Sequence, residues 1–194
     1  MTYSTKLILP FAASAFLLSA CVSMKAVPAN TNFSGEAAFS VTSAKAWTQM
    51  PNGLNPTQGS ALTQDGVPVG AVYLVTAKDD KAMIDKLGGG KNPPRFSAGS
   101  TALEQVDFLT DSLGQIGFGN LTTANVRPEQ IDGQTGTRME LTGTYSNGLD
   151  MRGDAVLVES DAGLNILVYA APEMHYYNKY KSDANAIIDS IDLK

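Results

Sequence analysis

TGTRMELTGTYSNGLDMRGDAVLVESDAGLNILVYA, residues 135–170, decides the fold. Over 135–145, Thr137, Met139, Leu141, Gly143 and Tyr145 alternate strictly with Arg138, Glu140, Thr142 and Thr144, the period of two that belongs to a strand. Asn147-Gly148 is a hairpin turn signal. Residues 149–160 alternate again, with Arg152, Asp154, Val156 and Val158 on one face, and Asp161-Ala162-Gly163 turns the chain into 164–171. Consecutive strands joined by turns this short pair antiparallel, so the stretch predicts a meander.

Working outward, 60–76 reads as another hairpin about Asp65-Gly66. Its second strand sets Val67, Val69, Ala71, Tyr73 and Val75 against Val72 and Leu74, so part of it is apolar on both sides, as in a strand covered on both faces. Residues 33–47 give the first strands, from the alternation about Phe39 and Val41. Residues 121–127 give a strand stopped at Pro128, and 79–87 a short helical stretch. Two helices complete the pattern. One covers 101–116, with Thr101 and Glu104 as a capping box and Leu103, Val106, Leu109, Leu113 and Ile116 as its apolar stripe. The other runs from Pro172 to about Asp189, with Tyr177, Tyr180, Ala184, Ile187, Ile188 and Ile191 as its stripe. The class is α+β with an antiparallel sheet.

The entry to the meander at Gly136-Thr137-Arg138, its exit at Ala170-Ala171-Pro172, the tyrosines Tyr176, Tyr177 and Tyr180 and the closing Ile187-Ile188-Asp189-Ser190 resemble the PsbP/Mog1-like fold. That resemblance implies an antiparallel sheet with helices packed on both faces, an α/β/α sandwich. It also implies an extracytoplasmic, often lipid-anchored protein serving as a binding or assembly factor and not as an enzyme. The chain is likewise similar to uncharacterised proteobacterial lipoproteins of this shape. The histidine metal sites of some plant members do not carry over, because His175 is the sole histidine and a conventional metal site needs three or four ligands.

At the other end of the chain a basic segment with Lys6 precedes an apolar run over 7–18 and then Leu18-Ser19-Ala20-Cys21. The order basic, apolar, small is a secretory signal, and the run is well short of the ~20 residues a spanning helix needs. The four residues ending at Cys21 resemble a bacterial lipobox, with Leu18, Ser19 and Ala20 before the cleaved bond. Residues 1–20 are thus expected as a signal peptide, 21–32 as a lipidated N-terminus and flexible tether, and 33–194 as one globular domain. Two or more fatty chains on the sulfur give stable membrane attachment where one gives only marginal binding. Val22, rather than Asp, after the cysteine leans by analogy towards the outer membrane, facing the periplasm.

Cys21 is the only cysteine, so the domain beyond it has no disulfide and no thiolate chemistry. The chain carries net charge −5, one unit more negative once the leader with its single lysine is gone. An acidic surface without a Lys/Arg patch is repelled by phosphate backbones, which excludes nucleic acid as a partner. No G-x-S-x-G elbow occurs. Gly88-Gly89-Gly90-Lys91 lacks the first glycine and the Ser/Thr of a phosphate loop and reads as a surface loop. Asp107 and Asp111 read as a solvated acidic face, and no cofactor is implied.

Five residues remain as candidate contacts for a ligand or an envelope protein partner: Trp47, Arg138, Tyr145, Arg152 and His175. Trp47 is core or an exposed binding surface, with burial the commoner fate of tryptophan. Arg138, Glu140, Arg152 and Asp154 form either a salt ladder across the hairpin or an arginine pair gripping an anion. His175 suits packing and hydrogen bonding at a strand-to-helix junction. The expected function is a lipid-anchored, non-catalytic binding or assembly factor. The alternative is a periplasmic small-ligand carrier with its cleft beside the meander.

Overall fold

A computed structural model describes residues 24–66, 69–84 and 92–194. Cys21, the lipobox residues before it and the glycine loop at 88–91 lie outside them. The main sheet has eight strands, all antiparallel: β1 (Lys25–Val27), β4 (Trp47–Gln49), β5 (Ser60–Thr63), β6 (Ala71–Ala77), β10 (Gly163–Pro172), β9 (Asp150–Ser160), β8 (Gln134–Tyr145) and β7 (Phe118–Ile131), in that spatial order. A small sheet of β2 (Asn32–Phe33), β3 (Phe39–Thr42) and β11 (Asp192–Leu193) lies apart from it. The meander is β8, β9 and β10, as the alternation predicts.

The two periodicities of the strands build two cores. Val72, Leu74, Val156, Leu167 and Tyr169 point to one face, where Tyr177, Ala184, Ile187 and Ile188 of the C-terminal helical segment cover them together with Phe39 and Val41 of β3. Val75, Met139, Leu141, Leu157, Ile166 and Val168 point to the other, where Val106, Leu109 and Leu113 of α1 (Ala102–Gln115) cover them. One helix on each face makes the α/β/α sandwich.

The capping box forms as expected: the Thr101 amide donates to Glu104 Oε2 at 2.7 Å and the Glu104 amide to Thr101 Oγ1 at 3.4 Å. Leu103, expected in the stripe, is 70% exposed, and Phe108 takes the buried place. At about 100° per residue Leu103 lies roughly 120° round the helix from Leu109, beyond the edge of the sheet it would cover. Asp107 and Asp111 are exposed, as expected.

Other expectations need correction. The stretch read as a flexible tether supplies β1, whose Lys25, Ala26 and Val27 pair with Gln49, Thr48 and Trp47, and Val27 is buried. Three residues are too few to show a period, but an open strand edge supplies their hydrogen bonds. Residues 79–84 form no helix: Asp80 is left-handed (φ 54°), its amide donates to the Phe96 carbonyl, and Ile84 bridges to Thr57. Asp65-Gly66 is not a two-residue turn, since Leu62 pairs with Val72 and Thr63 Oγ1 donates to the Gly70 carbonyl; Val67, expected in the second strand, lies outside the described residues. β7 continues through Pro128, which pairs with Thr137; as the edge strand it has an open side where a missing amide costs nothing. The last helix does not start at Pro172. A kinked turn at Glu173–Tyr177, with His175 at φ 83°, precedes α2 (Asn178–Ile188).

Gly153 shows how close the central strands come. A Cβ there would lie 2.5 Å from the Tyr169 carbonyl oxygen of β10. Overpacking of this kind costs about 1–3 kcal/mol. The G153A variant is expected to unfold at lower urea concentration with an unchanged slope, and an unmoved midpoint would show that β9 and β10 have room to part.

Candidate binding cleft and the polar face opposite

The face under α2 carries a polar network near its edge. The Arg138 guanidinium projects from β8 and is mostly buried. It donates to Glu129 Oε1 of β7 at 2.7 Å, to Asp189 Oδ1 just past α2 at 3.0 Å, and to Asn185 Oδ1 at 3.0 Å. Burial pulls its pKa down, but the bonds to Glu129 and Asp189 more than offset this and leave it above the ordinary value. Glu129 also accepts from Arg127, which settles the two arginines that the register places side by side across β7 and β8.

The salt ladder across the hairpin does not form. Glu140 stands opposite Asp154, a like-charge pair, and Thr142 opposite Arg152. Asp154, buried, accepts the Tyr177 hydroxyl at 2.9 Å. Arg152 lies over the Tyr177 ring at 5.5 Å and pairs with Glu173 at 3.6 Å. Tyr169 stacks on Tyr177 at 5.7 Å, and its hydroxyl donates to the carbonyls of Tyr176 and Tyr177. These bonds explain why the chain kinks after Pro172: the buried phenol of β10 holds the turn's carbonyls before the helix can begin.

Trp47 is core, with Nε1 donating to Ser43 Oγ at 2.9 Å. His175 is exposed at the kink, edge-on to Tyr176 at 5.0 Å. Arg138, Arg152 and Trp47 therefore lie on the α2 side of the sheet. Tyr145, which alternates with Glu140 and Thr142 along β8, lies on the other. The five candidates do not converge on one site.

Tyr145 belongs instead to a cleft on the α1 face. Gly117, left-handed at φ 101°, ends the helix there and passes the chain to Phe118. Beyond that end no described residue covers the sheet, leaving a cleft of 270 Å³ lined by Met50, Leu54, Tyr73, Phe118, Tyr145 and Ser146, among others. Phe118 and Tyr145 form one wall, with ring centres 5.0 Å apart. Leu54, half-exposed in the 3₁₀ turn Asn52–Leu54, stands at the rim. Among the described residues the cleft has no charged lining residue. Sequence reading found Tyr145 but not the rest, because Met50, Tyr73 and Phe118 come from separate strands and loops. The one signal available was a β8 face ending in an aromatic beside a hairpin turn.

Burial pushes the Tyr73 phenol up to about 12 and the Tyr145 phenol higher still, with Tyr73 itself adding to the second shift. Both are therefore neutral donors at any physiological pH. A raised folded-state pKa stabilises the fold below the ordinary phenol value of ~10 and is lost as pH climbs through the raised value. Thermal stability is expected to hold to about pH 10 and then fall, Tyr73 alone accounting for about 2–3 kcal/mol by pH 12. The Y73F variant should show a shallower alkaline fall in a circular-dichroism melt, and an identical profile would contradict the burial of that phenol.

Removal of Arg138 tests the opposite face. R138A leaves Asp189 and Asn185 without their donor and Glu129 with Arg127 alone, and is expected to cost about 1–3 kcal/mol, while R138K keeps the charge but not the planar fork and falls between. Equal urea midpoints for R138A and wild type would show the network to be ornamental.

Among solved structures the chain is similar to the solution structure of the cyanobacterial PsbP protein CyanoP from Synechocystis sp. PCC 6803. The match has TM-score 0.54 and 10% identity, over 94% of this chain and 99% of that one. A Pseudomonas aeruginosa protein of unknown function aligns with TM-score 0.43 and 8% identity, over 76% and 97%. No family model matches the chain, and no curated protein does. At 10% identity the likeness shows the fold, an α+β sandwich of the PsbP/Mog1 type, and no more.

Proposed function

We propose that the chain is a non-catalytic binding or assembly factor held at the cell envelope through lipid on Cys21. One observation carries the binding half of this reading. The cleft on the α1 face is apolar and aromatic, with phenols and a serine as its polar groups and, among the described residues, no acid, imidazole or cation in its lining. Such a surface can bind but has no base to activate a nucleophile. Among the described residues no group of three His, Cys, Asp or Glu side chains could hold a metal. The anchoring half rests on Leu18-Ser19-Ala20-Cys21 and the leader before it. Among the described residues no helix is long and apolar enough to cross a membrane. Val22 after the cysteine favours the outer membrane, with the domain facing the periplasm.

The cleft also favours the second form of the reading, a carrier of a small ligand, over an assembly factor that needs only a surface. Gentle solubilisation separates them: a stable protein partner supports assembly, and a small molecule retained in native mass spectrometry supports carriage.

The anchor has its own test. Material purified from membranes is expected to begin at Cys21 and to carry the added mass of a diacylglyceryl group. The C21S variant is expected to leave the membrane fraction. A free thiol, or a chain that still begins at Met1, would refute the anchor.

A further inference from the structure

We infer that the cleft at the C-terminal end of α1 is a binding site for a small, uncharged aromatic molecule bearing a hydrogen-bond acceptor such as a carbonyl oxygen. The inference deepens the binding reading above and rests on it.

Three observations define the occupant. First, size: 270 Å³ is just below the ~300 Å³ at which ligand pockets begin, which fits about one ring and a short substituent. Second, charge. Among the described residues the cleft has no charged lining residue to pair with an ion, and an ion buried without a partner is costly. The carbonyls that end α1 carry about half a negative charge at this end of the helix, which adds a penalty against an anion. Third, hydrogen bonding. The Tyr73 and Tyr145 side chains are partly buried against the sheet, and neither hydroxyl makes a hydrogen bond among the described residues, whereas the hydroxyls of the buried Tyr169 and Tyr177 on the opposite face both do. Two donors left open in an apolar slot call for an acceptor on the occupant. The ring of that occupant would lie against Phe118 and Tyr145, in the offset or tilted arrangement aromatic groups prefer.

The two phenols set specificity more than affinity. A ligand lacking the acceptor would leave them unpaired in a site emptied of water, and sites built on hydrogen bonds reject such analogues strongly. A single hydrogen bond is worth about three- to tenfold in affinity at a partly exposed site.

The test uses the full chain carrying C21S, free of lipid and detergent, and four probes followed by calorimetry and by amide chemical shifts. Acetophenone is expected to bind and to shift the amides of Leu54, Gly117 and Ser146. Ethylbenzene, the same shape without the oxygen, is expected to bind about three- to tenfold more weakly. Benzoate and benzyltrimethylammonium are expected not to bind. Y73F and Y145F, alone or together, should bring acetophenone down to the level of ethylbenzene while leaving the melting temperature unchanged or higher, since each removes an unpaired hydroxyl. Four results overturn the inference: no probe binds; a charged probe binds as well as acetophenone; the shifts fall outside the cleft; or the double Tyr→Phe variant binds acetophenone undiminished. A chain that ignores every probe but still retains a protein partner on membranes overturns the site and leaves the envelope-binding reading standing.

Discussion

From Leu164 to Ala171 every residue of β10 is buried. A strand at the middle of an antiparallel sheet can be buried along its whole length only if both faces are covered. β10 has β6 on one side and β9 on the other, so neither edge is open. α1 supplies one cover, and α2 with the β2–β3–β11 ribbon the other. Everything distinctive about the molecule lies at the margins of those two covers, where one fits and the other stops short.

The covers end differently. On the α2 side the margin is filled with polar groups that satisfy one another: Arg138 with Glu129, Asn185 and Asp189, and Tyr177 with Asp154. Asp65 adds a clasp from the β5–β6 loop to α2, accepting from Lys179 and Tyr180 at 2.6 Å each; the Lys179 bond holds its carboxyl below the ordinary range. A connected network of this kind fixes geometry more than it adds stability. On the α1 side the helix ends at Gln115, and no charged group among the described residues closes the gap beyond it. The open donors are phenols and the walls are apolar. Among the described residues one face is finished internally, and the other keeps an open cleft.

Much of this was legible in the sequence. The strict alternation over 135–145 put Tyr145 and Met139 on one face and Arg138 and Glu140 on the other, and the register confirms it. The helix cap at Thr101 and the double-sided burial of β6 were equally plain, because each depends on residues close together in the chain. What failed depended on register or on contacts from afar. The charges of β8 and β9 were expected to face one another as opposites, but the Asn147-Gly148 hairpin is a three-residue loop with Gly148 left-handed at φ 82°. Its length sets Glu140 against Asp154; a slip of two residues would have set it against Arg152. Residues 25–27 gave no strand signal, since their partner is an edge supplied by residues 47–49. The cleft was invisible because its lining is gathered from segments as far apart in the chain as Met50 and Ala170.

The claim that the two faces differ, one sealed and one open, can be measured directly. Fluorotyrosine-labelled protein gives separate ¹⁹F signals, assigned by single Tyr→Phe variants, and the uncharged nitroxide TEMPOL broadens those it can approach. Tyr73 and Tyr145 line the cleft and Tyr169 and Tyr177 are buried. Selective broadening of the first pair, with the second pair untouched, is the outcome expected. Equal broadening of all four, or none at Tyr73 and Tyr145, would contradict the account.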